Sequence, residues 1–225
     1  MTYLVTHKLS QAMLDPSLCS RLPHISTRSL FKRALDIVGA LVGLAILSFL
    51  LVPIAIAIRL DSEGPIFYSQ ERYGLQGRPF RIWKFRSMVS NADDLKASIA
   101  NEAQGLIFKN AKDPRVTKVG QFLRKTSLDE FPQFWNVLKG DMSLVGTRPP
   151  TADEVEHYSD RHWQRLDVRP GLTGQWQVSG RSAIKDFEEI VDLDLLYQLH
   201  WTPMHDIRLL VKTVATLLSK RSGAC

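Results

Sequence analysis

The sequence predicts an α+β fold, mainly helical, held at a membrane by one apolar helix near its N-terminus. Three observations carry this: an uncharged run of twenty-two residues from Ile37 to Ile58, two short β-rich runs around a glycine turn, and helical spacing of apolar residues over most of the remainder. At 225 residues the chain has room for one domain with appendages and a real core. Its 44% hydrophobic and 23% charged content excludes a disordered polymer and a multi-pass membrane bundle.

Residues 1–27 mix Ser, Thr, Pro and His with scattered apolar residues and lack the order of a secretory signal, so a flexible tail is expected. Residues 28–60 hold the apolar run, which is long enough to cross a bilayer. Pro53 predicts a break in it, because proline removes a backbone hydrogen bond and its ring opposes the carbonyl four residues back. Arg28, Lys32 and Arg33 precede the run, and Arg59, Arg72, Arg78, Arg81, Lys84 and Arg86 follow it, so both ends favour the cytoplasmic side. A re-entrant helix that bends at Pro53 and returns satisfies both flanks. A kinked spanning helix is the alternative, since membrane helices tolerate proline. Gly39 and Gly43 form a G-x-x-x-G that lets two helices approach and so allows a homo-oligomer; chance recurrence of small residues in apolar sequence accounts for it equally well.

After Gly64-Pro65, the runs Ile66 to Tyr68 and Phe80 to Phe85 flank a turn at Gly74 to Gly77 and predict a small β-hairpin. Ser90 with Asp93 and Asp94 predicts a capped helix to about Ala100, and Thr151 with Glu154 a capping box opening a helix to about Leu166. Asp186 to Leu199 and His205 to Leu218 are helical by period. In the second, Ile207, Leu210, Val211, Val214 and Leu218 share a face opposite Arg208, Lys212 and Thr216, suited to packing on the body or lying in a membrane interface.

A formal charge of +6 favours anionic partners: phosphorylated small molecules, acidic lipid headgroups or nucleic acid. Cys19 and Cys225, alone and far apart, exclude a disulfide framework and a cysteine zinc site. The histidine pairs are five apart, which misses the spacing of helical metal ligands.

The chemistry concentrates in Arg124 to Gln133, where Asp129 and Glu130 stand beside Arg124 and Lys125 ahead of a helix reaching to about Lys139. Ser127 and Glu130 have capping-box spacing, but Pro132 opposes a helix that starts at Ser127, which moves the start to Asp129 or later. Asp129 then serves as N-cap or, beside cations that hold a phosphate, as an ionised nucleophile. Lys84, Arg86, Arg115, Arg148, Arg169 and Arg181 lie in or next to short Gly- and Pro-rich connections suited to gripping phosphate oxygens, if they converge. Asp192-Leu193-Asp194 matches a metal-binding D-x-D, but a helical setting with Asp186, Glu188 and Glu189 favours a charged face.

In order, the motifs Phe31-Lys32-Arg33-Ala34-Leu35-Asp36, Gly64 to Gly74, Trp83-Lys84-Phe85-Arg86-Ser87-Met88, Arg124 to Pro149 and Arg169 to Arg181 resemble the bacterial sugar transferase family. These are monotopic polyprenyl-phosphate sugar-1-phosphate transferases that begin exopolysaccharide, O-antigen and glycoprotein glycan assembly. The resemblance runs from about Leu30 to Leu218. It implies a catalytic domain over residues 61–225 on the cytoplasmic face of the bacterial inner membrane, held by a re-entrant helix. Family members commonly carry Ser before the helix-breaking proline, where this chain has Val52. Larger relatives add spanning helices and a further domain, so the chain looks like a minimal catalytic form.

By that resemblance Asp129 attacks a UDP-sugar, releasing UMP, and undecaprenyl phosphate then takes the sugar phosphate. Glu130 assists as base or, with Asp129, as ligand to Mg²⁺. Lys84, Arg86, Arg115, Arg124 and Arg148 hold phosphate, and the Arg169 to Arg181 segment meets the nucleotide end. Expected partners are therefore the UDP-sugar, undecaprenyl phosphate and membrane lipids. The main alternative is a metal-dependent glycosyltransferase that uses Asp192 and Asp194, moves the sugar alone and releases UDP. A nucleic-acid binder would interleave exposed aromatic and basic residues; Phe131, Phe134 and Trp135 instead have mostly apolar neighbours, so no nucleic acid is expected. A non-catalytic scaffold would leave Asp129 and Glu130 as capping residues.

Overall fold

The computed structural model describes residues 22–180 and 183–218. Its longest element is helix α1, Leu30–Asp61, begun by Ser29, whose side chain accepts from the Lys32 N–H. At 32 residues it is about 48 Å long, and among the described residues it alone is long and apolar enough to cross a membrane. Pro53 falls inside α1 and does not end it. The expected break is therefore a bond withheld from the Phe49 carbonyl within a continuous helix, because body contacts on both sides of Pro53 hold the turn. Leu47, Leu50 and Leu51 before it, and Ile54 and Ile58 after it, belong to one apolar cluster with Phe85, Leu123 and Val119.

One stripe of α1 touches the body from end to end. Lys32, Asp36, Ala40, Gly43, Ile54 and Ile58 are buried, and Asp61 Oδ2 accepts the Val119 N–H at 2.8 Å. The opposite side exposes Val38, Leu41, Val42, Ile46, Phe49, Val52 and Ile56, apolar surface that water does not favour. Gly39 and Gly43 face the chain's own Leu144 and Phe134, against which any Cβ would collide. The G-x-x-x-G thus admits the body of the same chain.

Residues 22–27, the described end of the expected tail, pack on the body: His24 N–H donates to the Asp167 carbonyl at 2.9 Å and Ser26 is buried. The rest of that tail lies outside the described residues.

Strands β1, Phe67–Tyr73, and β2, Pro79–Phe85, form the expected antiparallel hairpin, with Phe67 opposite Phe85 and Tyr73 opposite Pro79. Helix α2, Lys118–Thr126, leads through a 3-10 turn, Leu128–Gln133, into α3, Phe134–Lys139. A second sheet pairs β3, Ser143–Val145, in parallel with β4, Gly171–Thr173. Helix α4, Gln175–Gly180, precedes α5, Phe187–Leu199, and α6, Pro203–Leu218.

Two predicted helices are shorter than expected. The Ser90 signal yields only Ala92–Leu95 and a 3-10 turn, and Asn91 rather than Ser90 holds the N-cap position. Thr151 does cap, accepting from Glu154 N–H, but only as far as Val155. Ser159 then starts a separate turn, Asp160–Trp163. Glu154's side chain turns to Arg148 instead of closing the box.

The main core joins α1 to the second sheet and the C-terminal helices through Ala40, Val137, Met142, Leu144, Val145, Tyr197 and Leu209. Within it Lys32 Nζ meets Asp206 Oδ2 at 2.7 Å and the Val145 carbonyl at 2.8 Å, both side chains buried. This pair fastens the start of α1 to α6. A second core, with Ile107, Trp176, Phe187, Ile190 and Val191, packs α4 and α5.

Candidate active site

Alternation along β1 turns Tyr68, Gln70 and Arg72 to one side of the hairpin, and Lys84 stands opposite Tyr68 on β2. That side is one wall of a cavity of about 440 Å³, whose lining carries eight Lys or Arg side chains against six Asp or Glu. A surplus of positive charge in a concave site suits a polyanionic ligand.

The 3-10 turn delivers Asp129 and Glu130 to this wall. Helix α2 stops at Ser127, a left-handed residue with φ 56°, a conformation that costs a non-glycine residue about 1–2 kcal/mol. The chain then tightens into 3-10 geometry, which accepts Pro132 where an α-helix begun at Ser127 would not. Asp129 is buried, at 6% exposure. Glu130 Oε1 accepts from Lys84 Nζ at 2.9 Å, so β2 fixes the second carboxylate.

The predicted cations divide into those that line the cavity and those that do not. Lys84, Arg86, Arg115, Arg124 and Arg148 line it. Arg124 Nε donates to Ser87 Oγ at 2.9 Å; burial lowers its pKa, and neighbouring Asp129 opposes that shift. Arg148 Nη1 holds both oxygens of Glu154. Arg115 is engaged by Asp113, through Nε at 2.9 Å and Nη2 at 2.7 Å, which raises the Arg115 pKa further.

Arg86, on the cavity lining, also has a structural contact. It donates to the carbonyls of Ser62 at 2.7 Å and of Glu63, closing the C-terminal end of α1. Its contribution is to fasten the apolar helix to the cavity rim. Arg169 does not line the cavity; its Nη1 donates to the Thr27 carbonyl at 2.9 Å. Arg181 lies outside the described residues.

The sequence reading missed Arg72 as a site residue and counted it only as a flanking charge. Period-two spacing groups it with Tyr68 and Gln70 on one side of β1 but does not say which side faces the cavity. Also missed was the segment from Leu106 to Asp113, which brings Phe108 and Asn110 to the lining.

The D-x-D does not form a metal site. Asp194 is buried against Arg165, with Oδ2 2.8 Å from Nε, while Asp192 pairs with Arg161 at the surface. The charged-face reading fits Asp192 but not Asp194.

Among the described residues, no three His, Cys, Asp or Glu converge as a metal cage. Mg²⁺ does not need one, being held commonly by one or two carboxylates and its substrate's phosphates. Asp129 and Glu130 supply two sequence-adjacent carboxylates to the cavity lining.

Residues 27–220 match the family model described as bacterial sugar transferase. The chain is 51% identical over 189 residues to "Galactosyl transferase CpsE" of Streptococcus agalactiae, covering 83% of this chain and 42% of that protein. It is 42% identical over 230 residues to "Undecaprenyl-phosphate galactose phosphotransferase" of Salmonella typhimurium, covering 100% of this chain and 47% of that one. With "Exopolysaccharide production protein ExoY" of Rhizobium meliloti it shares 38% identity over 198 residues, 85% of this chain and 87% of the relative. The chain thus spans less than half the length of the first two and most of the third. The match over nearly all described residues places this chain in the bacterial sugar transferase family.

Proposed function

We propose that the chain is a phosphoglycosyl transferase that moves a sugar-1-phosphate from a UDP-sugar to undecaprenyl phosphate, the first membrane step of exopolysaccharide or O-antigen assembly. The observation that carries this reading is a buried Asp129 on a cation-rich wall whose rim, through Arg86, is tied to the end of the apolar helix α1. A lipid-borne phosphate and a nucleotide sugar would meet there. The names of the Salmonella and Rhizobium relatives point the same way.

In the first half-reaction an Asp129 oxygen forms a bond to the sugar-bearing phosphorus. The bond from that phosphorus to the bridging oxygen breaks, and UMP leaves with the electron pair. In the second, an oxygen of undecaprenyl phosphate attacks the same phosphorus and the Asp129 carboxylate departs, giving an undecaprenyl-diphosphate sugar. Lys84 orients Glu130, which serves as base toward the lipid phosphate, and Arg124 and Arg148 offset phosphate charge. Bound Mg²⁺, held by Asp129 and Glu130, would supply further charge neutralisation.

The chain would sit monotopically on the cytoplasmic face of the inner membrane. Support comes from the contact stripe along the whole of α1, which keeps both helix ends on the same body, and from the cationic flanks. Product analysis with a panel of UDP-sugars and undecaprenyl phosphate tests the reaction. UMP release is expected; UDP release would favour transfer of the sugar alone.

A further inference from the structure

One buried residue off the cavity takes hold of both ends of a segment that lines it. Thr147 Oγ1 donates to the Arg165 carbonyl at 3.0 Å, a bond sealed from water. At the far end of the segment, Tyr158 Oη accepts from Arg165 Nη1 at 2.6 Å. Between those points the chain delivers Arg148, Thr151, Asp153 and Glu154 to the cavity, whereas Thr147, Tyr158 and Arg165 are not part of its lining.

Arg165 lies in the 3-10 turn Gln164–Asp167 at 1% exposure. Asp194 meets its charge, Oδ2 being 2.8 Å from Nε, and the Phe187 ring lies 5.3 Å from its guanidinium carbon. Such a pair adds little net stability, because desolvating both ions offsets most of their attraction, and apolar side chains of similar volume would often serve as well. What they would lack is a donor for Tyr158. Tyr73, Val155 and Leu166 already cluster where the segment meets the body, but apolar contact is non-directional and does not set a register. Two hydrogen bonds to one residue do. Strand β1 pins the segment at Pro149 and Pro150, through Arg72 and the Tyr73 N–H. Glu154 lies beyond that hold, between it and Tyr158, and it is Glu154 that grips Arg148.

We propose that Arg165 is a positioning residue of the active site: by clamping Thr147 and Tyr158 it fixes the segment between them, so that Glu154 holds Arg148 in place on the cavity wall. The inference deepens the reaction proposed above and rests on it for the role of Arg148. Asp194, the second carboxylate of the D-x-D, is then the counter-ion of the clamp.

The test uses the full chain in detergent, with Tyr158→Phe, Thr147→Val and Thr147→Ser, read by UMP release and by hydrogen exchange. Tyr158→Phe and Thr147→Val each remove one hydroxyl and should lower kcat/KM about tenfold, since small misplacements around reacting groups are costly. Thr147→Ser keeps its hydroxyl and should recover most of the loss. In an Arg148→Gln background, Tyr158→Phe should lower kcat/KM by less than about twofold, because the side chain it places is gone. Amides of residues 151–158 should exchange about tenfold faster in Tyr158→Phe, and those of α6 at the parent rate. Unchanged kcat/KM in Tyr158→Phe and Thr147→Val, equal losses with and without Arg148, or unchanged exchange overturns the clamp. Should Tyr158→Phe fail to fold, by circular dichroism, the Thr147 variants carry the same measurements. A parent chain that releases no UMP sinks the proposed reaction and not the clamp, which hydrogen exchange then decides alone.

Discussion

The chain buries charge in two regions and treats it differently. In the core, Lys32 meets Asp206 and Arg165 meets Asp194, each side chain at 6% exposure or less and each cation facing a carboxylate. On the cavity wall, Arg72 and Arg124 have, among the described residues, neutral partners at hydrogen-bond distance, Gln70 with the Pro149 carbonyl and Ser87 respectively. The core pairs close on themselves and hold helices in place; the wall mixes paired cations, Arg115 with Asp113 and Arg148 with Glu154, with Arg72 and Arg124, which meet neutral partners. The comparison explains why the same residue types mean structure in one region and chemistry in the other.

The sharpest way to break this contrast is to exchange the carboxylates' roles. Asp129→Asn should cut turnover about 10⁴-fold or more, the scale of losing a nucleophile, while leaving fold and membrane association intact. Asp194→Ala should do the opposite. It strands the Arg165 charge in the core, costs about 3–5 kcal/mol, and lowers the melting temperature accordingly. Asp192→Ala, at the surface, should cost less than about 1 kcal/mol and leave activity unchanged. Equal loss of activity in Asp192→Ala and Asp194→Ala, without destabilisation, would revive a metal site there.

Much of the frame was legible in the sequence. The apolar run, the hairpin and the two C-terminal helices each carry a long period or a clear turn signal, and Asp129 and Glu130 stood out beside Arg124. The β3–β4 pair was not legible, because three-residue strands offer no period to read. Arg86 and Arg169 looked like phosphate ligands from their Gly- and Pro-rich settings. Only packing shows that Arg86 also holds the end of α1 and that Arg169 donates to the Thr27 carbonyl away from the cavity. Arg72 went unassigned because a single strand's alternation does not say which side faces a cavity.

Smaller effects sharpen the comparison further. The wall region stores backbone strain at Ser127, so Ser127→Gly should stabilise the chain by about 0.5–1 kcal/mol in thermal unfolding, and Ser127→Val should destabilise it. Retained activity in Ser127→Gly would show that the backbone shape, not the hydroxyl, presents Asp129. Smallest is a pH effect. The Arg115 hydrogen bond, ahead of other causes, lowers the Asp113 pKa below the usual carboxylate value. The stability it contributes is present above the unfolded-state pKa, near about 4, and is lost as pH falls through the lower folded value. Melting temperatures measured from neutral pH to pH 3 should therefore fall less steeply in Asp113→Asn than in the parent chain; equal slopes would remove Asp113 from the account.

The most direct measurement is the intact mass of the chain after brief exposure to a UDP-sugar without lipid acceptor and a rapid quench. A gain equal to one sugar phosphate, mapped to Asp129 and absent from Asp129→Asn, is predicted. UMP production without that gain, or a gain mapped to another side chain, would contradict the claim that Asp129 is the nucleophile.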